Sequence, residues 1–287
     1  MKSKKIKTIV VTALTGCMLL AVTVVASASG SSGYETYKSA AKNIAVTKNA
    51  TFSTSFQVKD NGNTNISGTS VKKLEGSNNS SITNIKTDDI AKETETSEID
   101  GKSIVKNGGN YYSRDRKSNE KNDKVERKFD DSSSKSKLRE MILDTLVGDV
   151  KNQFVVDGDK ISVNLEGAQI PELAKLAISA AAEEANSKKA NNKTETGKDG
   201  LKDALKNIPN LKNIDIKSLN INAKVNASIL TENKLKIVIT GTDENDVSHE
   251  VELSVDTTVS GVDSTKADSI DTTGKQIQPM QDKMNRK

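Results

Sequence analysis

The most regular feature of this chain is an alternation of apolar and polar residues towards its C-terminus. The apolar positions are Leu219, Ile221, Ala223, Val225, Ala227 and Ile229, then Leu235, Ile237 and Ile239, then Val247, Val251, Leu253 and Val255. A repeat of two residues is that of a β-strand with one face towards a core and one towards solvent. The pattern therefore predicts three amphipathic strands, at 219–229, 235–239 and 247–255.

The same alternation occurs earlier in the chain, where shorter strands are separated by turn residues. Phe52, Phe56 and Val58 alternate with polar residues, and Asp60-Asn61-Gly62-Asn63 then predicts a turn. Further strands are predicted at 65–74, 80–87, 91–99, 103–106 and 110–114, with a hairpin at 154–165. Consecutive strands with tight turns between them indicate an antiparallel meander, because antiparallel neighbours can be joined by hairpins.

Helical periodicity is confined to a few segments between the strands. The predicted helices lie at 34–44, at 136–150, from Pro171 onwards and at 200–207. The first of them opens with a capping box formed by Ser32 and Glu35. Polar, aperiodic sequence predicts loops at 115–135 and 186–199, and a disordered tail at 260–287.

Together these elements predict an α+β fold in a single domain over 34–258. Its main part is a large antiparallel sheet of about eleven strands, for which the sequence leaves a half-barrel form open. Each strand has one apolar face, and an apolar sheet face must pack against another layer. We therefore expect the helices to cover the apolar face of the sheet.

The first 28 residues have the three parts of a secretory signal peptide. Four lysines within the first seven residues precede an apolar run over 9–25. Ala26 and Ala28 then form the A-x-A pattern that signal peptidase accepts. We predict cleavage between Ala28 and Ser29, so that the mature protein is secreted or extracytoplasmic and associated with the cell envelope.

Two other fates of this segment remain open. Leu14-Thr15-Gly16-Cys17 has the form of a bacterial lipobox, in which Cys17 would be lipidated and would anchor the protein. The apolar run continues past Cys17, however, whereas a lipoprotein normally turns polar soon after its cysteine. An uncut membrane anchor is the other alternative, because the run approaches the roughly 20 apolar residues that span a bilayer.

Removal of the signal peptide changes the charge of the protein. The whole chain has 43 basic and 39 acidic residues, and loss of the four signal-peptide lysines leaves the mature chain neutral. A neutral protein has no long-range attraction to polyanions, so nucleic acid is not expected as a partner. Cys17 is the only cysteine and is also lost, so the mature chain has no disulfide.

The sequence predicts no catalytic, cofactor-binding or metal-binding residue. His249, the only histidine, is in phase with the apolar positions of the last strand and is expected as an edge or core residue. The Ser-x-x-Lys spacing within 132–137 lacks the two further elements of serine penicillin-binding enzymes. The turn at 60–63 begins like a calcium loop, but Val71 stands where the closing glutamate would be, which leaves only loose calcium binding as an alternative. We therefore do not expect an enzyme.

The order of elements resembles a known family. An exported chain with an initial helix, a long meander, further helices, a hairpin and a final meander is similar to the LolA/LppX-like lipoprotein-carrier superfamily, over about 34–258. The resemblance implies a curved half-barrel with helices over its concave side and an apolar cavity for acyl chains between them. It rests on no residue motif, so it assigns no functional residue.

Two functions fit these features. The first is binding of a hydrophobic ligand, a lipid or a lipidated partner, near the membrane and without catalysis or a cofactor. The residues expected to line its cavity are Phe52, Phe56, Val225 and Ile237. The second is a structural or protein-interaction role in the envelope, at the surface or in the extracellular matrix, where the apolar faces form a dry core. The sequence does not indicate an oligomeric state.

Overall fold

A computed structural model describes residues 33–115, 148–170, 208–209 and 211–280 of the chain. It contains one α-helix, α1 (Gly33–Val46), and two short 3-10 helices, Gly148–Gln153 and Gly167–Gln169. The strands are β1 (Asn49–Asp60), β2 (Asn63–Glu75), β3 (Asn78–Lys86), β4 (Ala91–Ile99), β5 (Lys102–Asn107), β6 (Asn110–Asp115), β7 (Val155–Asp157), β8 (Lys160–Glu166), β9 (Lys212–Asn226), β10 (Ile229–Thr242), β11 (Ser248–Ser260) and β12 (Ile277–Pro279).

The twelve strands form one sheet in the order β12-β6-β5-β4-β3-β2-β1-β11-β10-β9-β8-β7. Every neighbouring pair is antiparallel except β12 and β6, which are parallel. The two end strands do not pair, so the sheet is open and is not a closed barrel. The predicted large antiparallel sheet is therefore confirmed.

The expected α+β composition is not what the described residues show. They are mostly β, and α1 is the one α-helix among them, so a layer of several helices over the apolar face is not shown in this part of the chain. Several predictions concern residues outside the described ranges: the signal peptide, most of the helix at 136–150, the helices after Pro171 and at 200–207, and most of the two polar loops. Residues 148–150, the end of one predicted helix, belong to a 3-10 helix instead.

The predicted strand at 219–229 is wrong at its C-terminal end. The chain turns at Ala227 and Ser228, whose φ angles are 47° and 61°, and Ile229 already pairs with Asn226 as the first residue of β10. Two positive φ angles are typical of a primed two-residue hairpin turn, for which Asn-Gly is the usual sequence. Ala and Ser carry no such signal and continue the apolar alternation, so the pattern extended the strand through its turn.

Register defines two faces of the sheet, and we call inner the face that carries Phe52, Phe56 and Val58 of β1. On β1 and β8–β11, the inner face is buried in two apolar clusters. The first consists of Phe56, Val58, Ile66, Val163, Leu165, Ile170, Ile208, Leu211, Ile216, Leu235, Ile237, Ile239, Val251, Leu253 and Val255. The second joins Tyr37, Ala40, Ala41 and Ile44 of α1 to Ala50, Phe52, Ile161, Ala223 and Leu230. Each fully buried side chain of leucine size stabilises the fold by about 1.5–3 kcal/mol.

A row of polar side chains crosses the inner face between the two clusters. Four of its members are neighbours in register on β10, β11, β1 and β2: Asn233, Thr257, Thr54 and Ser70. The Tyr37 hydroxyl of α1 donates to Oδ1 of Asn233 at 3.2 Å, and Oγ1 of Thr54 lies 3.0 Å from Oγ1 of Thr257. Buried polar groups are tolerated when they are hydrogen-bonded. The row therefore separates the two apolar clusters, and these hydrogen bonds provide partners for its buried polar side chains.

Residues 261–280, expected to be a disordered tail, run across the outer face of the sheet instead. The backbone amides of this C-terminal strap donate to Asn49 Oδ1 (from Thr265, 2.8 Å), to Ser80 Oγ (from Asp268, 2.9 Å) and to the Ser113 carbonyl (from Met280, 2.8 Å). The strap ends in β12, which covers the edge strand β6. Polar side chains of the strands thus hold a segment that has no apolar periodicity of its own.

Candidate functional site

The inner face changes from apolar to polar where the sheet passes from β1 to β2. Its residues on β2, β3 and β4 are Ile66, Gly68, Ser70, Lys72 and Leu74, then Asn79, Ser81, Thr83 and Ile85, then Lys92, Thr94, Thr96 and Glu98. All of them except Ile66 are half-buried. The helix α1 makes most of its contacts with β9, β10 and the 3-10 helix at 148–153, on the apolar half. One continuous face therefore offers an apolar half beside a polar half.

Hydroxyl pairs cross the polar half of the inner face. Oγ of Ser70 lies 3.0 Å from Oγ1 of Thr83, and Oγ of Ser81 lies 2.7 Å from Oγ1 of Thr96. A pair of hydroxyls has two hydrogens and uses one of them in the bond between its members. Each pair therefore retains one donor that can reach a ligand or water.

Two lysines, Lys72 and Lys92, lie on the same polar half and are half-buried. Within the described ranges neither has an ion pair or a hydrogen bond to a carboxylate, whereas Lys73 on the outer face pairs with Asp268 at 2.8 Å. The sequence analysis missed them, although Lys72 is in phase with Leu74. Within the described residues these two lysines are therefore half-buried cations without an ion pair, on a face whose other half is apolar.

The four residues predicted to line an apolar cavity occupy three different environments. Phe52 is 6% exposed in the cluster beneath α1, and Val225 packs against the same cluster. Ile237, also 6% exposed, and Phe56 belong to the first cluster. Phe56 in addition contributes to the floor of a groove on the other side of the sheet. That they line a ligand cavity stays a prediction.

The groove is open, has a volume of about 730 Å³ and lies on the outer face. It runs across the strands between two rows of side chains. One row is Asp256, Ser55, Thr69, Asn84 and Glu93, and the other is Ser254, Gln57, Ser67, Lys86 and Ala91. Most of the side chains along its walls end in hydroxyl, amide and charged groups, and the groove is open, which distinguishes it from the apolar cavity that was expected.

His249 lies at the end of the inner face between two carboxylates. Its Nδ1 is 2.9 Å from both carboxylate oxygens of Asp60, and its Nε2 is 3.8 Å from Oδ2 of Asp243. Nε2 is buried and has no hydrogen-bond partner within the described part of the chain. No described serine hydroxyl therefore completes a nucleophile–base pair with this histidine.

The described residues contain no group of three or more His, Cys, Asp or Glu side chains that could hold a metal ion. At the turn that begins like a calcium loop, the Asp60 carboxylate is already used by His249. Within the same ranges no helix has the length and apolarity needed to cross a membrane.

Comparisons with known proteins give limited similarity. The crystal structure of LprF from Mycobacterium bovis aligns with 85% of this chain and 97% of its own, at 14% identity and a TM-score of 0.29. A putative thioesterase II from Thermobifida fusca YX aligns over 83% of this chain and 90% of its own, at 6% identity and a TM-score of 0.13. No protein-family model and no curated protein matches the chain. TM-scores this low carry no argument about function.

Proposed function

We propose that this chain is an exported, non-catalytic protein of the cell envelope that binds a hydrophobic ligand, a lipid or a lipidated partner, along the inner face of its sheet. The segment 1–28 supports export, since it has the order of charge, apolar run and small residues of a signal peptide. Apolar side chains on one half of the inner face and polar side chains on the other half suit an amphiphilic ligand.

The observation that carries the proposal is the continuity of the inner face. The buried apolar residues of β1, β10 and β11 lie beside the half-buried polar residues of β2–β4 in the same sheet, and β1 pairs with β2 in one register from Asn49 to Val58. Ligand sites are mostly apolar with a few placed polar groups. An amphiphile can match both halves at once, with its chain beside the apolar strands and its polar part over β2–β4.

The proposal is tested first on the protein as its own cell makes it. We expect native mass spectrometry of the mature protein, purified from its envelope, to show a bound mass that solvent extraction recovers as lipid. A protein that travels at its calculated mass, with no extractable lipid, would contradict ligand binding in the isolated state.

A labelling experiment then locates the ligand. The only native cysteine is Cys17 in the signal segment, so cysteines introduced in the mature chain are unique. Ser70→Cys places a fluorophore on the inner face, and Thr69→Cys places it on the outer face of the same strand, because neighbours in a strand point to opposite faces. A fatty acid carrying a nitroxide quencher should quench the label at 70 and leave the label at 69 unchanged. Equal quenching at both positions would place the ligand elsewhere.

The outer groove favours a second candidate function, a structural or protein-interaction component of the envelope, surface or extracellular matrix. Its walls carry the charged groups Lys86, Glu93 and Asp256, which form no ion pair within the described residues. Interfaces of this polar kind gain specificity from charge complementarity. Charge reversal at Glu93 and Asp256 should then abolish association with envelope components while lipid content is unchanged.

A further inference from the structure

Thr83 of β3 is the centre of the polar half of the inner face. In register it lies between Ser70 of β2 and Thr94 of β4, and all three side chains point to the same face. Directly opposite side chains on neighbouring strands are about 5 Å apart. The three hydroxyls therefore form a short row across three strands, half-buried throughout.

Lys72 and Lys92 flank this row from opposite sides. Lys72 is opposite the residue two positions before Thr83, and Lys92 is opposite the residue two positions after it. Such diagonal positions are about 7–8 Å away, within reach of long side chains. Both ammonium groups can therefore reach a ligand that sits over Thr83.

No carboxylate in the described ranges neutralises these two lysines, and among the inner-face residues of β2–β4 the one acid is Glu98, which already accepts from Asn79 at 3.2 Å. Partial burial of an unpaired ammonium group is unfavourable unless a partner compensates it. The two cations and the free hydroxyl hydrogens together form a site for an anion.

We propose that this cluster, Lys72, Lys92, Ser70, Thr83 and Thr94, binds the phosphate head of the amphiphile. Phosphate is preferred to carboxylate because it has more acceptor oxygens, and two ammonium groups with three hydroxyls supply more donors than the two oxygens of a carboxylate can take. The cluster lies two strands from β1, about 10 Å away, so a chain attached to the head reaches the apolar half. The assignment rests on the proposed lipid-binding function and names its ligand class.

The test compares three ligands of equal chain length on the full mature protein: palmitoyl lysophosphatidic acid, palmitate and monopalmitoylglycerol. Affinity is measured by displacement of a fluorescent fatty acid. Two double variants are matched in charge. Lys72→Gln with Lys92→Gln changes the inner cluster, and Lys102→Gln with Lys160→Gln removes two exposed lysines from the outer face. Circular dichroism and melting temperature confirm that both variants fold.

We expect wild type to bind the phosphate-headed ligand at least roughly tenfold more tightly than the neutral ester, since a charge-assisted hydrogen bond contributes that much or more. The inner variant should lose this preference, and the outer variant should keep it within about twofold. Equal affinity for all three ligands, or equal losses in both variants, would overturn the phosphate site while leaving lipid binding intact. If none of the three ligands binds, the proposed function itself is contradicted.

Discussion

Nδ1 of His249 lies 2.9 Å from both carboxylate oxygens of Asp60, although the two residues are 189 positions apart in the chain. The contact joins the end of β1 to the start of β11, beside the turn that carries Asp243. The side chains of His249 and Asp60 are 14% and 17% exposed, so the pair is only partly screened by solvent. The Asp60 carboxylate also orients the imidazole ring. Because the carboxylate is the acceptor of this hydrogen bond, Nδ1 must carry the proton.

Breaking this pair should destabilise the sheet at the end where the two turns meet. We expect Asp60→Asn and His249→Gln each to lower the free energy of unfolding by about 1–2 kcal/mol, the usual cost of leaving a partly buried hydrogen-bonding group without its charged partner. Urea denaturation of the two single variants and the double variant gives the coupling energy, which should be about 1 kcal/mol. Asp243→Asn is the control. Its carboxylate is 3.8 Å from the ring, so a comparable coupling there would show that the short contact with Asp60 is not special.

Acid should loosen the C-terminal strap. The pKa of Glu75 is lowered from its usual 4.5, first by the hydrogen bond from Lys266 and then by the backbone amide of Ala267. A carboxylate with a lowered pKa in the folded state contributes its stability in full above the unfolded value. The contribution is lost as pH falls through the lowered value.

The measurement is hydrogen exchange at the Ala267 amide, corrected for the intrinsic rate. Protection should fall between about pH 6 and pH 3 in wild type, while amides in the centre of β10 stay protected. The Glu75→Gln variant should show reduced protection of the Ala267 amide at both ends of this pH range, with little change between them. A wild-type profile as flat as that of the variant would exclude Glu75 as the acid-sensitive anchor.

Gly68 should not tolerate a side chain. A Cβ built on it would lie 2.3 Å from the carbonyl oxygen of Asn84 and 2.4 Å from Cζ of Phe56, both too close for real atoms. Gly68→Ala must therefore move the Phe56 ring or separate β2 from β3, and we expect a loss of about 1–3 kcal/mol in unfolding free energy. The control is Ser67→Ala, on the outer face of the same strand. In a Phe56→Leu background the cost of Gly68→Ala should be smaller; an undiminished cost would place the strain on the Asn84 contact alone.

Much of the sheet follows from local sequence. Asn61-Gly62 and Asp100-Gly101 have positive φ angles at both positions, as their composition predicts for tight hairpin turns, and the period of two on either side defines the strands. These elements were predictable because each is determined by residues close together in the chain.

The rest depends on contacts between distant residues, which a periodic pattern does not reveal. The strap has no apolar repeat and is held by partners such as Asn49 and Glu75, which precede it by about 190 residues or more. Lys72 was visible as a polar residue in an apolar phase, but its proximity to Lys92 requires the pairing of β2, β3 and β4. The outer groove likewise needs five strands in register, and so it could not be inferred from any one of them.

A stabilising substitution in the β9–β10 turn can test whether residues 227 and 228 form a turn, as observed, or continue a strand, as the alternation predicted. Ala227 and Ser228 hold φ angles of 47° and 61°, which are unfavourable for residues with a Cβ. Replacing them by Asn and Gly, as Ala227→Asn with Ser228→Gly, should raise the free energy of unfolding by about 1 kcal/mol, because Asn-Gly prefers this turn. Chemical denaturation with an unchanged m-value would measure the gain. Inside a continuous strand the same glycine would instead weaken the sheet, so a loss of stability would contradict the turn; Asn222→Gly, within β9, is the matched control and should destabilise.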